Sequence, residues 1–237
     1  MKKFVIVPIA LVIVCVLFSC SDYDVLVDED TCVDESLIYL QCLDVGSIIV
    51  FGQYYWRILE IQEERALIIT ENLISQQPFA NNHSSSSWED SNMRRWLNSD
   101  FYYTFDDYDR SYIFEVTVAN YGNPWFETAV SLDTVDKIFI LSIDEILRYL
   151  GGEYQGEITT DDTYSSGITG IWDELDNERV ALNMFGLPQW WWLRSAGQND
   201  YHRANVLLDG SINLQGISNN TIGGVRPALW IDLEFFD

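Results

Sequence analysis

The chain has 237 residues, of which 37 are acidic and 13 are basic, and its formal net charge at pH 7 is −24. This charge repels nucleic-acid phosphates and anionic lipid headgroups, which argues against a nucleic-acid-binding protein. It is compatible with a cationic or polar neutral ligand, with a basic partner, or simply with a well-solvated acidic surface.

The N-terminus has the pattern of an export signal. Two lysines precede an apolar run over residues 4–18, which ends at Ser19-Cys20. A charged start and a short apolar stretch predict a signal peptide rather than a membrane span. Leu17, Ser19 and Cys20 resemble the lipobox of bacterial lipoproteins, in which the cysteine is acylated, for example with palmitate. We expect residues 1–19 to be a lipoprotein signal peptide, the alternatives being an ordinary secretion signal or a one-pass anchor.

Acylation of Cys20 implies a membrane-anchored protein that faces away from the cytoplasm. Acyl chains contribute about 0.8 kcal/mol per buried CH₂, so two or three chains hold a protein durably. We therefore expect the mature chain at the cell membrane or the outer membrane. Residues 20–34 are rich in acidic side chains and predict a tether, and residues 35–237 are long enough for one globular domain.

Two cysteines remain after the signal peptide and the acylation site are set aside. Cys32 and Cys42 could form one local disulfide in an exported protein. Such a bridge would stabilise the fold by roughly 2–3 kcal/mol through loop entropy. No histidine lies near them, so we predict no metal site and no cofactor there.

The first half of the domain predicts a β-meander followed by helices. Three runs rich in β-branched and aromatic residues indicate strands, at 48–52, 54–61 and 65–70. A polar loop follows, and then a helix with Asp90 or Ser91 as its N-cap and its end at Asn98.

A buried strand and a second helix are predicted further along. Residues 137–141 are mostly apolar and indicate the strand, and Ser142 with Glu145 makes a capping box. A Gly-Gly pair ends this helix. The acidic stretch 153–177 predicts a long surface loop, and residues 179–185 predict a last short helix.

The last fifty residues predict one small antiparallel sheet. In a strand, Trp190 and Trp192 share one face and Trp191 takes the other. Residues 204–214 predict a hairpin around an Asp-Gly turn, and residues 223–230 predict a further strand. The fold class is therefore α+β, with an antiparallel sheet, two or three helices and long loops.

Several stretches occur in the order typical of a bacterial family known as a domain of unknown function. They are GQYYWRIL (52–59), ALIITEN (66–72), WEDS (88–91), RRWLN (94–98), KIFILS (137–142), WWLRS (191–195) and GVRPA (224–228). Together they resemble the DUF6273 family over nearly the whole domain. The closing pattern also resembles the end of C-type-lectin-like folds, which include the sulfatase-modifying-factor domains. That likeness implies a C-type-lectin-like α+β fold but no particular function.

The residues that carry two known activities of such folds are missing from this sequence. Sulfatase-modifying enzymes use a pair of copper-binding cysteines in the C-terminal half, and this sequence has no cysteine after Cys42. Calcium sites of lectins resemble Glu-Pro-Asn and Trp-Asn-Asp, and neither pattern occurs here. Gln198-Asn199-Asp200 comes near the Trp-Asn-Asp pattern but has glutamine in place of the tryptophan.

Three residues are candidates for contact with a ligand: Trp191, Arg194 and Arg226. An exposed tryptophan face stacks on sugar rings, and Trp191 is the candidate if one face of its strand is open. Arg94, Arg194 and Arg226 lie among apolar or aromatic residues. They are expected either to be buried hubs, bonding carbonyls or stacking on tryptophans, or to contact the ligand.

Acidic loops offer oxygen ligands that a hard cation such as calcium requires. Asp106, Asp107 and Asp109 form one such group, and Asp161 and Asp162 form another. Neither has the twelve-residue loop pattern of a calcium-binding hand, so a solvated loop is the alternative.

No catalytic constellation is recognised. Ser195 lacks the context of a nucleophile elbow, although His202 and Asp209 can be imagined beside it. We predict a non-catalytic ligand-binding or adhesion module for a glycan, a peptide or an envelope protein. The alternatives are an envelope enzyme, either a hydrolase or a modifying enzyme, and a purely structural component.

Overall fold

The structure is a computed structural model that describes residues 43–81, 87–151, 159–161, 168–171, 173 and 176–236. Leu43–Asp237 group as one compact unit. The predicted signal peptide, the tether, Cys20 and the Cys32–Cys42 pair lie outside the described residues. Within the described residues, no helix is long and apolar enough to cross a membrane.

The described residues are mixed α+β, as predicted. The strands are β1 (Ile48–Phe51), β2 (Tyr54–Gln62), β3 (Arg65–Thr70), β4 (Ser75–Gln77), β5 (Val116–Val118), β6 (Thr134–Asp136), β7 (Thr159–Asp161), β8 (Ile168–Ile171), β9 (Trp191–Ala196), β10 (His202–Val206), β11 (Ile212–Ser218), β12 (Gly223–Val225) and β13 (Ala228–Asp232). The α-helices are α1 (Asn92–Trp96), α2 (Asp107–Ser111), α3 (Ile143–Leu150) and α4 (Asp176–Arg179).

The first sheet is a four-stranded antiparallel sheet in the order β1-β2-β3-β13. In β1, Ile49 and Phe51 point inward, whereas Ile48 and Val50 are exposed, which is the alternation of an edge strand with one covered face. In β3, residues 66–70 are all buried, so both faces of this strand are covered, and β2 and β13 pair along its two edges. The predicted opening meander is confirmed.

The second sheet has the order β4-β12-β9-β10-β11-β8-β7. Its strand pairs are antiparallel except for β12 and β9, which are parallel. The prediction of a single antiparallel sheet at the C-terminus is wrong, because residues 223–230 split at Arg226-Pro227. Proline has no N–H for a ladder hydrogen bond. The chain therefore leaves the second sheet after β12 and enters the first sheet as β13.

A small third sheet pairs β5 with β6. The stretch predicted as one long loop, 153–177, contains the paired strands β7 and β8 within its described part. Residues 137–141 are buried apart from Lys137, as predicted, but they form only an isolated bridge between Phe139 and Ala228 rather than a regular strand.

The helix caps follow the sequence closely. Ser91 is the N-cap of α1, and its side chain accepts from the Arg94 N–H at 3.0 Å. Ser142 and Glu145 form the predicted capping box of α3, and Gly151 ends that helix. These three predictions are confirmed.

Two helix boundaries differ from the prediction. The helix that contains α1 does not end at Asn98 but continues as a π-helical turn (Leu97–Phe101) and a 3-10 turn (Tyr102–Thr104). Asn98 is held inside this helix because its side chain donates to Ile138 O at 2.8 Å and accepts from the Lys137 N–H at 2.8 Å. The helix predicted at 179–185 is also wrong: α4 ends at Arg179.

Aromatic rings fill the core beneath the first sheet. Phe51 lies 5.3 Å from Phe105 and 5.0 Å from Phe235 between ring centroids, and Phe101 lies 5.4 Å from Phe105. Such pairs add about 0.5–1.5 kcal/mol each beyond their buried area. They hold the α1 segment and the C-terminal residues against the sheet.

Candidate ligand-binding pocket

The tryptophan strand is covered on both faces. Trp190 and Trp192 share one face, with ring centroids 4.8 Å apart, as the alternation predicts. Trp191 and Trp192 are both completely buried. The indole N–H of Trp191 donates to Arg179 O and that of Trp192 to Gln77 O, each at 3.0 Å. Trp191 was a ligand candidate on the condition that one face of its strand is open, and this condition is not met, because Trp191 is fully buried.

Arg226 is a link between the two large sheets. Its side chain is 1% exposed, its Nε donates to Thr70 O at 2.7 Å, and its guanidinium stacks on Trp191. Burial lowers the pKa of Arg226 to about 10, although the charge of Glu71 acts in the opposite direction. Its contacts fit the buried-hub alternative, and it does not line the pocket described below.

Arg94 is a second hub, although its side chain is only partly buried. Its Nε donates to Asp136 at 2.6 Å, and the Asp136 side chain is fully buried. The indole N–H of Trp88 and the hydroxyl of Thr134 donate to the same carboxylate, at 2.9 Å and 2.6 Å. The carboxylate thus ties the residues before α1 to β6.

Arg194 joins β9 to the start of α3. Its Nη2 donates to Glu145 at 2.7 Å in a two-pronged ion pair that Nη1 completes. The same two nitrogens donate to Ile140 O and Ala119 O, each at 2.9 Å. The side chain is only 3% exposed. Unlike Trp191 and Arg226, Arg194 also lines a pocket.

This pocket is a polar cavity of about 230 Å³. It lies where the end of β9, the start of β10, the segment between β5 and β6, the residues before α1 and the N-terminus of α3 meet. Its lining residues are Ser87, Trp88, Asp90, Asn120, Tyr121, Ala129, Ser131, Ser142, Arg194, Ser195, Ala196, Asp200 and Arg203.

Two local features bring these elements together. A Cβ on Gly197 would lie 2.1 Å from Gln215 O, so only glycine allows the turn after β9 to pass this close to β11. The side-chain amide of Asn123 donates to Ala196 O at 3.0 Å and to Leu214 O at 2.9 Å. This buried amide fixes the 120s segment as one wall of the pocket.

Arg203 lies in the same cavity as Arg194. It is 4% exposed, and its guanidinium carbon is 5.0 Å from the centroid of the Phe79 ring. Burial lowers the pKa of Arg203 to about 10, and the charge of Asp200 only partly offsets this effect. A pKa of that size still leaves Arg203 positively charged at neutral pH, so the pocket contains a buried cation.

The sequence model of a family described as a domain of unknown function (DUF6273) matches residues 63–233, which is more than half of the chain. The chain belongs to the DUF6273 family. This confirms the resemblance deduced from the motifs. The match runs from β3 to β13 and includes every residue that lines the pocket, whereas the stretch 52–59 precedes it. No curated protein and no solved structure matches the chain.

In the DUF6273 domain, the acidic residues at Asp106–Asp109 form the N-cap and the first turn of helix α2. The Asp106 carboxylate caps the helix by accepting from the Asp109 N–H at 2.8 Å, and Asp107 pairs with Arg110. Asp162 of the second acidic pair lies outside the described residues. Within the described part of the domain, no group of three or more His, Cys, Asp or Glu residues is placed to hold a metal ion.

The three residues considered for catalysis have separate partners in the DUF6273 domain. The Ser195 hydroxyl accepts from the Ile143 N–H at 3.0 Å. His202 Nδ1 lies 2.8 Å from Asn199 Oδ1, and Asp209 accepts from the Ser211 hydroxyl at 2.6 Å. Each of these contacts stabilises a turn or a helix start.

Arg203 was missed by the sequence reasoning, as was the fully buried Arg179. A register shift between Arg203 and Asn205 interrupts the alternation of β10, so the face on which Arg203 lies could not be deduced from the spacing. One signal was available: basic residues are few in this chain, and Arg203 lies directly beside a predicted hairpin strand.

Proposed function

We propose that this DUF6273 domain is a non-catalytic binding module that takes a small ligand, or the end of a larger one, in the Arg194–Arg203 pocket. The observation that carries the proposal is the pocket itself, in which two buried guanidinium groups share a cavity with serine, asparagine and carboxylate side chains. Polar groups that converge on a concave site are characteristic of ligand binding.

The size of the cavity limits what it holds. Pockets for drug-sized molecules measure roughly 300–1,000 Å³, and this one is about 230 Å³. It therefore suits one sugar ring, one amino-acid residue or the end of a chain. That range fits a glycan, a peptide or an exposed part of an envelope protein. We also propose that the fold is C-type-lectin-like, because loops at one end of β9 and β10 build the pocket.

Blocking the mouth of the pocket tests the binding function. Ala129 lines the pocket and is exposed, so Ala129→Trp places an indole at the entrance without displacing the core. Leu208→Trp is the matched control, because Leu208 is 55% exposed in the turn between β10 and β11 and does not line the pocket. Both variants and the unaltered full chain would be screened by thermal shift against glycans, short peptides and calcium.

A ligand that binds only the folded state at one hundred times its Kd stabilises it by about 2.7 kcal/mol. We expect a ligand from the panel to raise the unfolding midpoint of the unaltered chain and of Leu208→Trp, but not of Ala129→Trp. If every ligand acts equally on all three proteins, binding does not occur in this pocket and the proposal fails.

We further propose that the domain is displayed outside the cytoplasm on a lipid attached to Cys20. The lipobox-like Leu17, Ser19 and Cys20 support this, and Cys15 provides an internal control. Metabolic labelling with an alkyne palmitate analogue should label the unaltered chain and Cys15→Ser, whereas Cys20→Ser should remain unlabelled. Label retained in Cys20→Ser would contradict the anchor.

A further inference from the structure

Two residues in the wall of the Arg194–Arg203 pocket each keep one buried polar atom without a partner. Arg194 and Asn120 line the pocket and are 4% and 6% exposed. Arg194 Nε has no acceptor and Asn120 Oδ1 has no donor in the described part of the chain. Folded proteins pair nearly all of their buried polar atoms, so an unpaired donor and an unpaired acceptor in one cavity wall indicate a ligand that satisfies both.

The other hydrogen bonds of these side chains bring the donor and the acceptor to the same part of the wall. Nη1 and Nη2 of Arg194 bind Glu145, and Nη2 also donates to Ala119 O at 2.9 Å. In a planar guanidinium group, Nε–H and the outer N–H of Nη2 lie along one edge, so Nε faces the backbone that leads into Asn120. The amide nitrogen of Asn120 is held by Leu132 O at 2.9 Å. A single hydroxyl both accepts and donates, and so it can join Arg194 Nε to Asn120 Oδ1.

Both atoms are covered by other atoms of the pocket wall. Neither is exposed to solvent, so a ligand hydroxyl reaches them only when the wall shifts slightly. Rearrangements of side chains are common at binding sites. We expect the two hydrogen bonds that form to favour this shift, because they end the burial of two unpaired groups.

Two serine hydroxyls add further donors to the pocket. The Ser142 hydroxyl accepts from the Glu145 N–H at 3.1 Å, and the Ser195 hydroxyl accepts from the Ile143 N–H at 3.0 Å. Each hydroxyl thereby stabilises the first turn of α3 and retains its own hydrogen, since a serine hydroxyl both accepts and donates. Both serines line the cavity, so the wall offers hydrogen bonds to several oxygen atoms of a ligand.

The charged residues of the lining leave no counter-charge for an ionic ligand. They comprise two arginines, Arg194 and Arg203, and two carboxylates, Asp90 and Asp200. Arg194 is paired with Glu145, and Arg203 already interacts within the fold, with the charge of Asp200 acting on it. The two aspartates are exposed, so solvent screens their attraction for a cation. Removing a charged group from water without a partner is costly, which favours a neutral ligand.

The size and the rim of the cavity favour a sugar ring over a peptide. A volume of about 230 Å³ accommodates one ring. Tyr121 lines the pocket and is 60% exposed, so its ring is available to stack on the apolar face of a sugar. A sugar presents several hydroxyls, each of which donates and accepts. A peptide unit presents one N–H and one carbonyl that point in opposite directions.

We propose that the pocket recognises a neutral sugar unit, one hydroxyl of which accepts from Arg194 Nε and donates to Asn120 Oδ1. The ligand class is thus an uncharged monosaccharide, either free or at the end of a glycan. This inference rests on the proposed binding function and specifies which ligands that function accepts.

Calorimetry on the full chain tests the ligand class. The probes are glucose, galactose and mannose, the uronate and the amino-sugar counterpart of each, and N-acetylglycine amide as a neutral peptide-like molecule. A mildly acidic buffer keeps the uronates negative and the amino sugars positive. We expect a neutral sugar to bind at least about tenfold more tightly than its two charged counterparts and than the amide.

Deoxy forms of the neutral sugar that binds test the hydroxyl contact. Each form lacks one hydroxyl. We expect the loss of one particular hydroxyl to weaken binding at least about tenfold, because Arg194 Nε and Asn120 Oδ1 are then left unpaired. The loss of any other hydroxyl should have a smaller effect. Equal affinities across the whole series would contradict the contact.

A conservative substitution assigns that hydroxyl to Arg194. Arg194→Lys keeps a positive charge beside Glu145 but has no Nε. In this variant the parent sugar and the critical deoxy sugar should bind equally, whereas Arg148→Lys, at a side chain that is 65% exposed, should keep the full difference. A full difference in Arg194→Lys would show that the assigned contact is wrong. If Arg194→Lys does not fold, the deoxy series on the unaltered chain decides the inference.

The outcomes separate this inference from the binding function. If a uronate, an amino sugar or the amide binds most tightly and Ala129→Trp abolishes that binding, the neutral-sugar inference is wrong and the binding function stands. If none of these probes binds, the inference fails, while the wider screen still decides the binding function.

Discussion

Arg226 stacks on Trp191, with its guanidinium carbon 5.1 Å from the centroid of the ring. The sequence made both residues candidates for ligand contact, with a buried hub as the alternative for Arg226, and in the folded chain they contact each other. Trp191 lies in β9 of the second sheet, and Arg226 donates to Thr70 O in β3 of the first sheet. The pair therefore fastens the two large sheets together.

A double-mutant cycle measures this link. We expect Arg226→Met to destabilise the fold by about 2–4 kcal/mol, because it leaves a buried carbonyl without its donor and removes the stacking charge. The coupling energy between Arg226→Met and Trp191→Phe should be about 1 kcal/mol or more, since the stability effects of substitutions at residues in contact do not add. Urea unfolding followed by tryptophan fluorescence gives both values, and a coupling near zero would contradict the link.

Glu145, which pairs with Arg194, should contribute far more to the stability of the fold than Asp144, its neighbour in the same helix turn. Glu145→Ala removes the capping box of α3 and leaves Arg194 buried without its counter-charge, which costs about 3–5 kcal/mol. Asp144→Ala is the control, because Asp144 is exposed in the same first turn and should cost within about 0.5 kcal/mol. Denaturant midpoints compare the two, and similar losses would rule out the assigned role of Glu145.

Gly197 should be intolerant of a side chain for steric reasons. In Gly197→Ala the new Cβ would meet Gln215 O at 2.1 Å, and because that atom is backbone we expect a cost of about 3 kcal/mol or more. Gly186→Ala has open space around its Cβ and a φ of +73°, so it should cost only the left-handed strain of about 1–2 kcal/mol. Thermal unfolding of both variants checks that Gly197→Ala lowers the unfolding midpoint more than Gly186→Ala does.

The pairing of Arg57 with Glu71 should make the stability of the fold depend on pH in the acidic range. Burial alone would raise the pKa of Glu71, but hydrogen bonds from Arg57, at 2.6 and 2.9 Å, and its charge hold that pKa below the ordinary value. A depressed carboxyl pKa contributes stability above the unfolded-state pKa of about 4.3, and this contribution is lost as the pH falls through the folded-state pKa.

The stability difference between the unaltered chain and Arg57→Met should therefore be large at pH 7 and shrink below about pH 4. Arg95→Met serves as control, because Arg95 is exposed and its side chain donates to a carbonyl, Asp90 O, so its difference should stay flat with pH. Urea unfolding at pH 7, 5 and 3.5 provides the comparison. A constant difference for Arg57→Met would show that Glu71 does not respond to Arg57.

The sequence by itself determined the features that depend on local spacing. Short-range patterns identified the meander β1–β3, the N-cap Ser91, the capping box of Ser142 and Glu145, and the hairpin of β10 and β11. Each arises from contacts between residues close in the chain, or from an alternation that one covered face imposes. The order of the motifs likewise identified the DUF6273 family.

Only the tertiary structure decided which polar residues meet in one cavity. Alternation along β9 shows that its side chains point both ways, but it cannot show that both faces are covered, and so the sequence left open whether Trp191 has an exposed face. Asn123 and Ala196 are hydrogen-bonded although 73 residues separate them in the sequence. The register shift beside Arg203 prevents the sequence from showing to which face of β10 its side chain points. These contacts depend on how distant segments pack, because burial of a side chain is a property of the layers around it and not of its neighbours in sequence.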